Sequence, residues 1–440
     1  MFPIDKEILE GTLHEFEIPD ITTATIRQIM AVATCLESKA GEEMVHLELG
    51  NPGIPSEKIG VEAEVEALRS GVANQYPNIT GIKSLKDNGS RFIKAFLNVD
   101  IDPVGIVPTV GSMQGSFTLM MLLKQRIPDK DTLLMLFPGF PAQRHQAKLL
   151  GMNLEGFDIY NYRGKKLEAK LEEYFKTGRI TAMLYSNPNN PAWTNLTDEE
   201  LEIIGRLATK YDVIVIEDLA YMGMDFRQDF SHPYQAPYIS TVAKYTDNYI
   251  LLISASKIFS YAGQRIAMVC MSNQVYNRHY EVFEKFYEMP KFGDAYVFGV
   301  LYCASSGTTH SAQYALSKML EKAADGELNF VEHTREYGRR GGLVKKILAD
   351  NGFELVYKLD GEEPIADGFF LTATYGDMNG EDLQKELLRY GVAAISLPST
   401  GSKQDGVRIT VSMIYDDHHF EMLSERLKKF NEDHLNLPPK

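Results

Sequence analysis

Few features of this sequence of 440 residues support disulfide bonds, a metal site or a membrane span. Its three cysteines, Cys35, Cys270 and Cys303, lie far apart and form no C-x-x-C motif. We therefore expect neither a disulfide framework nor structural zinc, and the reducing cytoplasm is the expected compartment. No apolar run reaches the roughly 18 residues of a membrane helix, and the first residues do not follow the pattern of a signal peptide.

Basic residues are in the minority. Lysine and arginine together number 45 against 60 acidic residues, which gives a formal net charge of −15. This balance argues against nucleic acid or an anionic membrane as the main partner. The hydrophobic fraction of 44% and the charged fraction of 24% are typical of globular proteins. A chain of this length predicts two domains.

One stretch joins the pattern of a buried strand to a reactive side chain. Tyr249 begins an apolar run that ends at Ser254, and Lys257 and Arg265 follow it. A lysine at the end of a buried strand loses solvation, which lowers its pKa and leaves a neutral amine that attacks carbonyls. The serine hydroxyl and the arginine guanidinium suit a phosphate. An imine-forming lysine beside a phosphate site indicates pyridoxal phosphate, although a lone lysine after a strand is more often a surface residue.

Other apolar runs of strand length alternate with helical patterns and are followed by glycine or polar residues. They cover residues 104–110, 131–137, 179–186, 213–216 and 266–271. This alternation predicts a mostly parallel sheet covered by helices on both faces. Ligands bind such sheets at the carboxyl ends of the strands. The residues expected to converge at that edge are Ser112, Phe140, Asn190, Asp218 and Lys257.

The pattern changes after a long charged helix predicted over residues 329–351. Strands are predicted at 353–358, 368–374, 392–396 and 407–412, with helices at 381–390 and 418–432. These elements predict a smaller α+β domain. We expect residues 56–325 to form the large domain, and residues 1–55 together with 326–440 to form the small one. A further helix is expected over residues 276–289.

Two features of the smaller domain bear on function. Arg408 lies between two apolar residues in the last strand, so it needs an anionic partner, either a substrate carboxylate or a structural Asp or Glu. The run from Asp416 to His419 has metal-ligand side chains, but it opens an amphipathic helix. We interpret its acidic residues as a helix start and expect no metal.

The motifs in this order resemble those of the fold-type I pyridoxal-phosphate-dependent aminotransferases, the class I/II family. The most specific are Ser254-x-x-Lys257 with Arg265 eight residues on, Asp218-x-x-Tyr221, and Asn187-Pro-x-Asn190-Pro191. The resemblance extends from the loop at Gly50 to Arg408. It implies an enzyme that uses pyridoxal 5'-phosphate to move the amino group of an α-amino acid to a 2-oxo acid by a ping-pong mechanism.

The resemblance also implies individual roles around the cofactor. Lys257 would hold the cofactor covalently and move the substrate proton, and Asp218 would pair with the ring nitrogen. Tyr221 and Asn190 would bind the ring's phenolate oxygen, and Phe140 would stack on the ring. The residues matching the phosphate cradle are Ser112, Met113, Ser254 and Arg265.

Further implied roles concern the substrate and a second subunit. Arg408 would grip the substrate α-carboxylate, with Gly50 and Asn190 close to it. Tyr76 matches a tyrosine that reaches the phosphate of the other subunit, which implies a homodimer with shared sites. No second arginine matches one that would hold the distal group of a dicarboxylate.

One motif departs from the family pattern. Ala192-Trp193 stands where the family usually has Thr-Gly, and a tryptophan lacks the backbone freedom of glycine. We therefore expect the loop near the substrate to be rebuilt.

Two other readings of the chain stay open. A β-lyase, a decarboxylase or a cyclopropane-forming synthase would share the lysine, the aspartate and the phosphate cradle. A non-catalytic regulator with an aminotransferase-like domain would need a DNA-binding module, which the net charge of −15 opposes. The sequence gives neither the amino donor nor the 2-oxo acid acceptor.

Overall fold

The N-terminal segment packs with the C-terminal part of the chain, and the two share a pair of hydrogen-bonded strands. The protein is described here by a computed structural model that covers residues 2–435. Its first elements are α1 (Lys6–Glu15), α2 (Ile26–Ala40) and the short strand β1 (Val45–His46). A capping box starts α2, because the side chains of Thr25 and Gln28 each accept a hydrogen bond from the other residue's backbone N–H. β1 pairs in parallel with Val392 and Ala393.

A seven-stranded sheet forms the centre of the large domain. Its strands are β2 (Ile106–Val110), β3 (Thr132–Phe137), β4 (Asn153–Asp158), β5 (Ile180–Ser186), β6 (Ile214–Asp218), β7 (Tyr249–Ser254) and β8 (Ile266–Met271). They are ordered β2-β8-β7-β6-β5-β3-β4. Only β8 runs antiparallel to its neighbours. The prediction of a mostly parallel sheet is confirmed.

Successive residues of the central strands enter two different cores, one on each face of the sheet. On β6, Val215 belongs to one core, while Ile214 and Ile216 belong to the other. This alternation follows from the two-residue period of a strand. Because both faces are apolar, helices must cover both.

The large domain has many helices, some packed on the two faces of the sheet and others packed on neighbouring helices. They are α3 (Lys58–Arg69), α4 (Lys83–Leu97), α5 (Gly111–Leu123), α6 (Pro141–Leu149), α7 (Lys166–Phe175), α8 (Asp198–Lys210), α9 (Ala255–Ile258), α10 (Asn273–Asn277), α11 (Glu281–Tyr287), α12 (Phe292–Asp294), α13 (Tyr302–Ser305) and α14 (His310–Ala324). The predicted capping box at Thr197 is present at the start of α8.

The long helix α15 (Phe330–Asp350) leads into the smaller domain. Four antiparallel strands form its sheet, in the order β14-β15-β12-β9. The elements are β9 (Phe353–Leu355), β10 (Leu359–Asp360), β11 (Glu363–Pro364), β12 (Phe370–Tyr375), α16 (Gly380–Arg389), β13 (Val392–Ala393), β14 (Ile395–Ser396), β15 (Val407–Thr410) and α17 (Asp417–His434). β12 and β15 lie side by side, which places Arg408 opposite Thr372.

Several predicted elements differ from the structure. The expected helix over 276–289 is wrong, since α10 and α11 are separated by an extended segment in which His279 bridges to Lys291. The strand expected over 392–396 is two strands that join different sheets, β13 with β1 and β14 with β15. β4 and α7 were not predicted.

Candidate active site

The carboxyl ends of the central strands line one large cavity. Its volume is about 1070 Å³, and it lies between those strand ends, the smaller domain and the N-terminal segment. The predicted site residues that line it are Gly50, Ser112, Met113, Phe140, Asn190, Asp218, Tyr221, Ser254, Lys257, Arg265 and Arg408. Tyr76 is the exception, because its side chain is 90% exposed outside this cavity.

Lys257 sits just beyond the end of β7. The Ser254 side chain caps the single turn α9 by accepting a hydrogen bond from the backbone N of Ser256 at 3.1 Å. That turn directs the Lys257 amine to the carbonyl oxygen of Gly50, and Nζ lies 5.2 Å from the centroid of the Phe369 ring. Burial, reinforced by two neighbouring arginines, lowers the pKa of Lys257 to about 7. A substantial neutral fraction therefore exists near neutral pH, as a nucleophile or base requires.

Asp218 ends β6 and is buried. Its Oδ2 accepts a hydrogen bond from Gln143 Nε2 at 3.0 Å, and its Oδ1 accepts one from the backbone N of Ala220 at 3.2 Å. Burial raises the pKa of Asp218 to about 6. Within residues 2–435 it forms no ion pair with a protein cation. A cationic group on a ligand would restore the charged form of this carboxylate.

Asn190 and Tyr221 place two uncharged polar groups beside Asp218. The backbone N of Asn190 donates to Ser186 Oγ at 3.0 Å, whereas the buried side-chain Oδ1 has no hydrogen-bond partner within the described chain. Burial raises the pKa of Tyr221 far above its usual value, so the phenol stays protonated and remains a donor. The Tyr221 phenol is thus a donor for a ligand oxygen, and the Asn190 amide lies beside it with its own oxygen free to accept.

Arg265 faces the N-terminus of α5. A Cβ on Gly111, whose φ is +68°, would lie 2.4 Å from Arg265 Nη2. A larger residue at this positive φ would strain the backbone and displace the guanidinium. Arg265 Nη1 donates to the carbonyl oxygen of Ala262 at 2.8 Å. The guanidinium, the first backbone N–H groups of α5 around Ser112, and the Ser254 hydroxyl together suit a phosphate dianion.

Arg408 is buried without a carboxylate in ion-pair contact anywhere in residues 2–435. Its Nη2 donates to the backbone oxygen of Glu48, and its Cζ lies 5.2 Å from the centroid of the Phe370 ring. Its buried Nε has no hydrogen-bond partner among the described residues. Burial lowers the pKa of Arg408 to about 10, while Tyr221 and Glu48 oppose that shift. Of the two partners predicted for Arg408, a structural Asp or Glu is therefore represented only by Glu48, which is nearby but forms no ion pair with it. The guanidinium faces the cavity.

The loop at Trp193 corrects one sequence expectation. Trp193 adopts φ = +62°, the left-handed conformation that the sequence argument reserved for glycine. Packing holds it there, because the side chain is 1% exposed and its ring lies 5.7 Å from that of Tyr221. A Cβ on Gly368 would come within 2.1 Å of the indole. The tryptophan is accommodated by a glycine on the facing segment.

Several residues in the cavity or directly behind it were not found by sequence reasoning. Gln143 fixes Asp218, and its position three residues after Phe140 was the one local signal. Arg144 and the N-terminal segment from Thr22 to Arg27 also line the cavity. The N-terminal segment is distant in sequence from the motifs, and Arg144 follows Phe140 closely but belongs to none of them, so no spacing rule points to either.

Clusters of metal ligands and membrane-spanning helices are both absent from residues 2–435. Over residues 2–435, no three His, Cys, Asp or Glu side chains are grouped as metal ligands. Asp416 caps α17 instead, accepting a hydrogen bond from the backbone N of His419 at 3.1 Å. None of the helices in that range is both long enough and apolar enough to cross a membrane.

Comparison with known proteins identifies one family across most of the chain. A family model described as aminotransferase class I and II matches residues 43–427. A probable aspartate aminotransferase of Methanocaldococcus jannaschii is 23% identical over 402 residues, which cover 90% of this chain and 95% of that protein. A (5-formylfuran-3-yl)methyl phosphate transaminase of the same organism is 25% identical over 415 residues, 92% of this chain and 96% of that protein.

Solved structures share the fold at low identity. A single mutant of Thermus thermophilus aspartate aminotransferase superposes with a TM-score of 0.75 at 20% identity, over 92% of this chain and 96% of that one. The Thermotoga maritima aspartate aminotransferase gives a TM-score of 0.73 at 22% identity, over 98% of this chain and all of the other.

Proposed function

Since the chain belongs to the aminotransferase class I and II family, we propose that it is a pyridoxal-phosphate-dependent transaminase. It moves the amino group of an α-amino acid to a 2-oxo acid by a ping-pong mechanism. The observation that carries this proposal is the meeting of Lys257, Asp218 and Arg265 in one cavity. These three groups match the three polar ends of the cofactor. The partly neutral amine of Lys257 suits the carbonyl, the buried carboxylate of Asp218 suits the ring nitrogen, and Arg265 at a helix N-terminus suits the phosphate.

The residues present fit pyridoxal 5'-phosphate. Asp218 would pair with the ring nitrogen, and Asn190 and Tyr221 would bind the phenolate oxygen. Phe140 would lie against the ring, and the phosphate would bind the residues Ser112, Met113, Ser254 and Arg265. When bound, the group supplies an electron-accepting ring that stabilises negative charge at the substrate Cα.

The chain's own residues would then position the substrate and move its proton. Arg408 would hold the α-carboxylate, near the backbone at Gly50 and the amide of Asn190. The Lys257 amine, with a pKa of about 7, would accept the proton from Cα as a general base. Trp193 would support this arrangement from behind, because its ring packs against those of Tyr221 and Phe370, which line the cavity.

The proposed reaction is tested by following the amino group of a donor amino acid in the presence and in the absence of a 2-oxo acid acceptor. We expect a ¹⁵N-labelled amino acid to pass its label to an added 2-oxo acid, in a screen of donors with 2-oxoglutarate, pyruvate and oxaloacetate. Without any acceptor, steady-state release of labelled ammonia would instead support a β-lyase, and release of carbon dioxide with a labelled primary amine would support a decarboxylase. A labelled amino acid product that keeps its nitrogen and its carboxyl group but loses a side-chain leaving group would support a cyclopropane-forming synthase.

Arg408→Lys keeps the charge but loses the two-pronged guanidinium. We expect it to weaken all α-amino acids and 2-oxo acids by a similar factor, about 10- to 100-fold, because one charge-assisted hydrogen bond is lost. Ratios of kcat/KM between substrates should stay constant. A variant with a lower melting temperature and intact substrate affinity would make Arg408 a structural residue.

We also propose a homodimer with shared sites. Tyr76 is 90% exposed, and Val61, Val65 and Leu68, which share one face of α3, are 43%, 38% and 48% exposed. A surface with this many exposed apolar side chains supports contact with a second copy. Sedimentation velocity should give twice the mass of one chain. Tyr76→Phe should weaken cofactor affinity about tenfold; a fully active monomer contradicts the proposal.

Two further expectations stay proposals. The division into residues 56–325 and residues 1–55 with 326–440 is supported by the pairing of β1 with β13. The cytoplasm remains the proposed compartment, supported by three cysteines that form no disulfide.

A further inference from the structure

An acidic side chain, Glu48, is buried behind the Arg408 guanidinium. Glu48 is fully buried, and the residues that follow it, 49–51, line the cavity together with Arg408. Two hydrogen bonds hold its segment against β15. Arg408 Nη2 donates to the carbonyl oxygen of Glu48, and the backbone N of Thr410 donates to the carbonyl oxygen of Leu47 at 2.8 Å. These contacts place an acidic residue next to the guanidinium that is proposed to bind the α-carboxylate.

The Glu48 carboxylate is only partly satisfied by its neighbours. Its Oε1 accepts a hydrogen bond from His46 Nδ1 at 2.8 Å, whereas its Oε2 has no hydrogen-bond partner among the described residues. Within residues 2–435 it makes an ion pair with His46 and with no lysine or arginine. A buried carboxylate needs a compensating positive charge. The two groups that can supply it are the His46 imidazole, when protonated, and Arg408, whose charged form Glu48 favours.

His46 connects this buried carboxylate to the protein surface. The His46 side chain is 25% exposed, and its Nε2 lies 4.0 Å from Glu37 Oε2 on α2. The hydrogen bond to Glu48 raises the pKa of His46, burial opposes that shift, and the nearby acidic residues reinforce it. The other charged groups around this strand lie on the loop before β1 and on α17, and they are Glu43, His419 and Arg426.

The net charge behind the carboxylate site depends on the proton of His46. When His46 is protonated, its positive charge and that of Arg408 exceed the negative charge of Glu48 by one, and a carboxylate ligand neutralises the excess. When His46 is neutral, Glu48 and Arg408 already cancel. A carboxylate ligand then brings an uncompensated negative charge into a buried site, which is costly.

We propose, on the basis of the proposed function, that Glu48 and His46 are positioning residues for Arg408, and that a carboxylate bound at Arg408 draws a proton from solvent onto the His46–Glu48 pair. Carboxylate ligands therefore bind more tightly when His46 is protonated. Their affinity falls as the pH rises through the range in which His46 titrates, which lies above the ordinary range of a histidine because of Glu48. The proton enters at the exposed edge of the imidazole, and no covalent bond to carbon changes.

A purely structural role is the competing explanation. The His46–Glu48 hydrogen bond would then only stiffen the segment that follows β1. Loss of such a tie would weaken ligand binding whichever of the two residues was replaced. A coupled charge predicts opposite effects instead, because His46→Gln leaves the Glu48 carboxylate without its proton, whereas Glu48→Gln removes the negative charge itself.

Proton uptake by His46 is measured directly by NMR of the wild-type, cofactor-loaded enzyme with ¹³C-labelled histidine. The probe is propionate, a carboxylate without an amino group, and its neutral isostere propionamide is the control ligand. We expect propionate to move the titration midpoint of His46 to higher pH by about half a unit to one unit, which corresponds to a three- to tenfold coupling. Propionamide should leave it unchanged. The spectrum of His46→Gln assigns the resonance, and the exposed His232, which pairs with Asp229, should not respond to either ligand.

Propionate affinity in two variants then separates the charge from the structure. Well above the measured His46 midpoint, Glu48→Gln should bind propionate about three- to tenfold more tightly than wild type at the same pH. Well below that midpoint, His46→Gln should bind it about three- to tenfold more weakly. Comparison at one pH cancels the titration of Lys257 and of the ligand, and ligand-observed NMR gives both dissociation constants.

The outcomes distinguish this inference from the proposed function. An unchanged His46 midpoint in the presence of bound propionate overturns the coupling, as does weaker binding in both variants at both pH values, and either result leaves the proposed function intact. Propionate that binds Arg408→Gln as tightly as wild type, or that does not bind wild type, overturns the coupling and also contradicts the role of Arg408 in the proposed function. The measurement on wild type does not depend on the folding of any variant.

Discussion

Lys257→Ala is expected to reduce amino-group transfer by about 10⁴-fold. Burial lowers the pKa of this amine to about 7 and directs it into the cavity beside the Gly50 carbonyl. Alanine removes both the nucleophile and the base. Non-covalent cofactor binding should persist, because the phosphate contacts at Arg265 and the start of α5 are unchanged. Single-turnover kinetics and equilibrium dialysis measure the two effects separately.

An exposed lysine provides the control for this experiment. Lys176→Ala removes a surface lysine that pairs with Glu172, and its activity should equal that of wild type. If Lys257→Ala transferred the amino group at the wild-type rate, the general base would be another residue.

Asp218→Asn is expected to slow transfer by about 10³-fold, with a smaller loss of cofactor affinity. The carboxylate is buried and holds two hydrogen-bond donors, Gln143 and the backbone N of Ala220. An amide of the same shape removes the negative charge that would keep the ring nitrogen protonated. Removal of one preorganised group that stabilises charge developing in the transition state typically costs about 10²- to 10³-fold in kcat.

The neighbouring residue on the same strand is a matched control. Glu217 is also buried, but it faces the opposite side of β6, where Thr241 Oγ1 donates to its Oε2 at 2.5 Å. Burial raises the pKa of Glu217 to about 7. Glu217→Gln makes the same replacement of a buried carboxyl group by an amide and should keep transfer within a few-fold of wild type. Equal losses in both variants would attribute the effect to the strand rather than to the site.

The parallel sheet and most of the site were predictable from local patterns. Asp218 and Lys257 each follow an apolar run, and parallel strands bring such run ends to one edge. The burial of Lys257 was predicted in the same way. Elements with weak patterns were missed: β4 is an edge strand with Asn153 exposed and its next three residues only partly buried, so its sequence lacks a continuous apolar run.

The features of the site that the sequence did not predict depend on contacts between residues far apart in the chain. Gln143 and Arg144 lie on α6, and only the folded structure shows that Gln143 contacts Asp218 and that Arg144 contacts Ser399. Trp193 contradicted a propensity argument, because packing against Gly368 offsets the cost of its left-handed backbone. Such compensation involves residues far apart in sequence and cannot be inferred from one segment.

Borohydride reduction followed by peptide mapping tests the central claim most directly. Borohydride makes a reversible bond between an amine and the cofactor's carbonyl permanent, so the modified residue can be found by mass spectrometry. The account predicts a single phosphopyridoxyl adduct on the peptide containing Lys257, formed only when the enzyme carries pyridoxal 5'-phosphate. An adduct on a different lysine of the active, cofactor-loaded enzyme would contradict it.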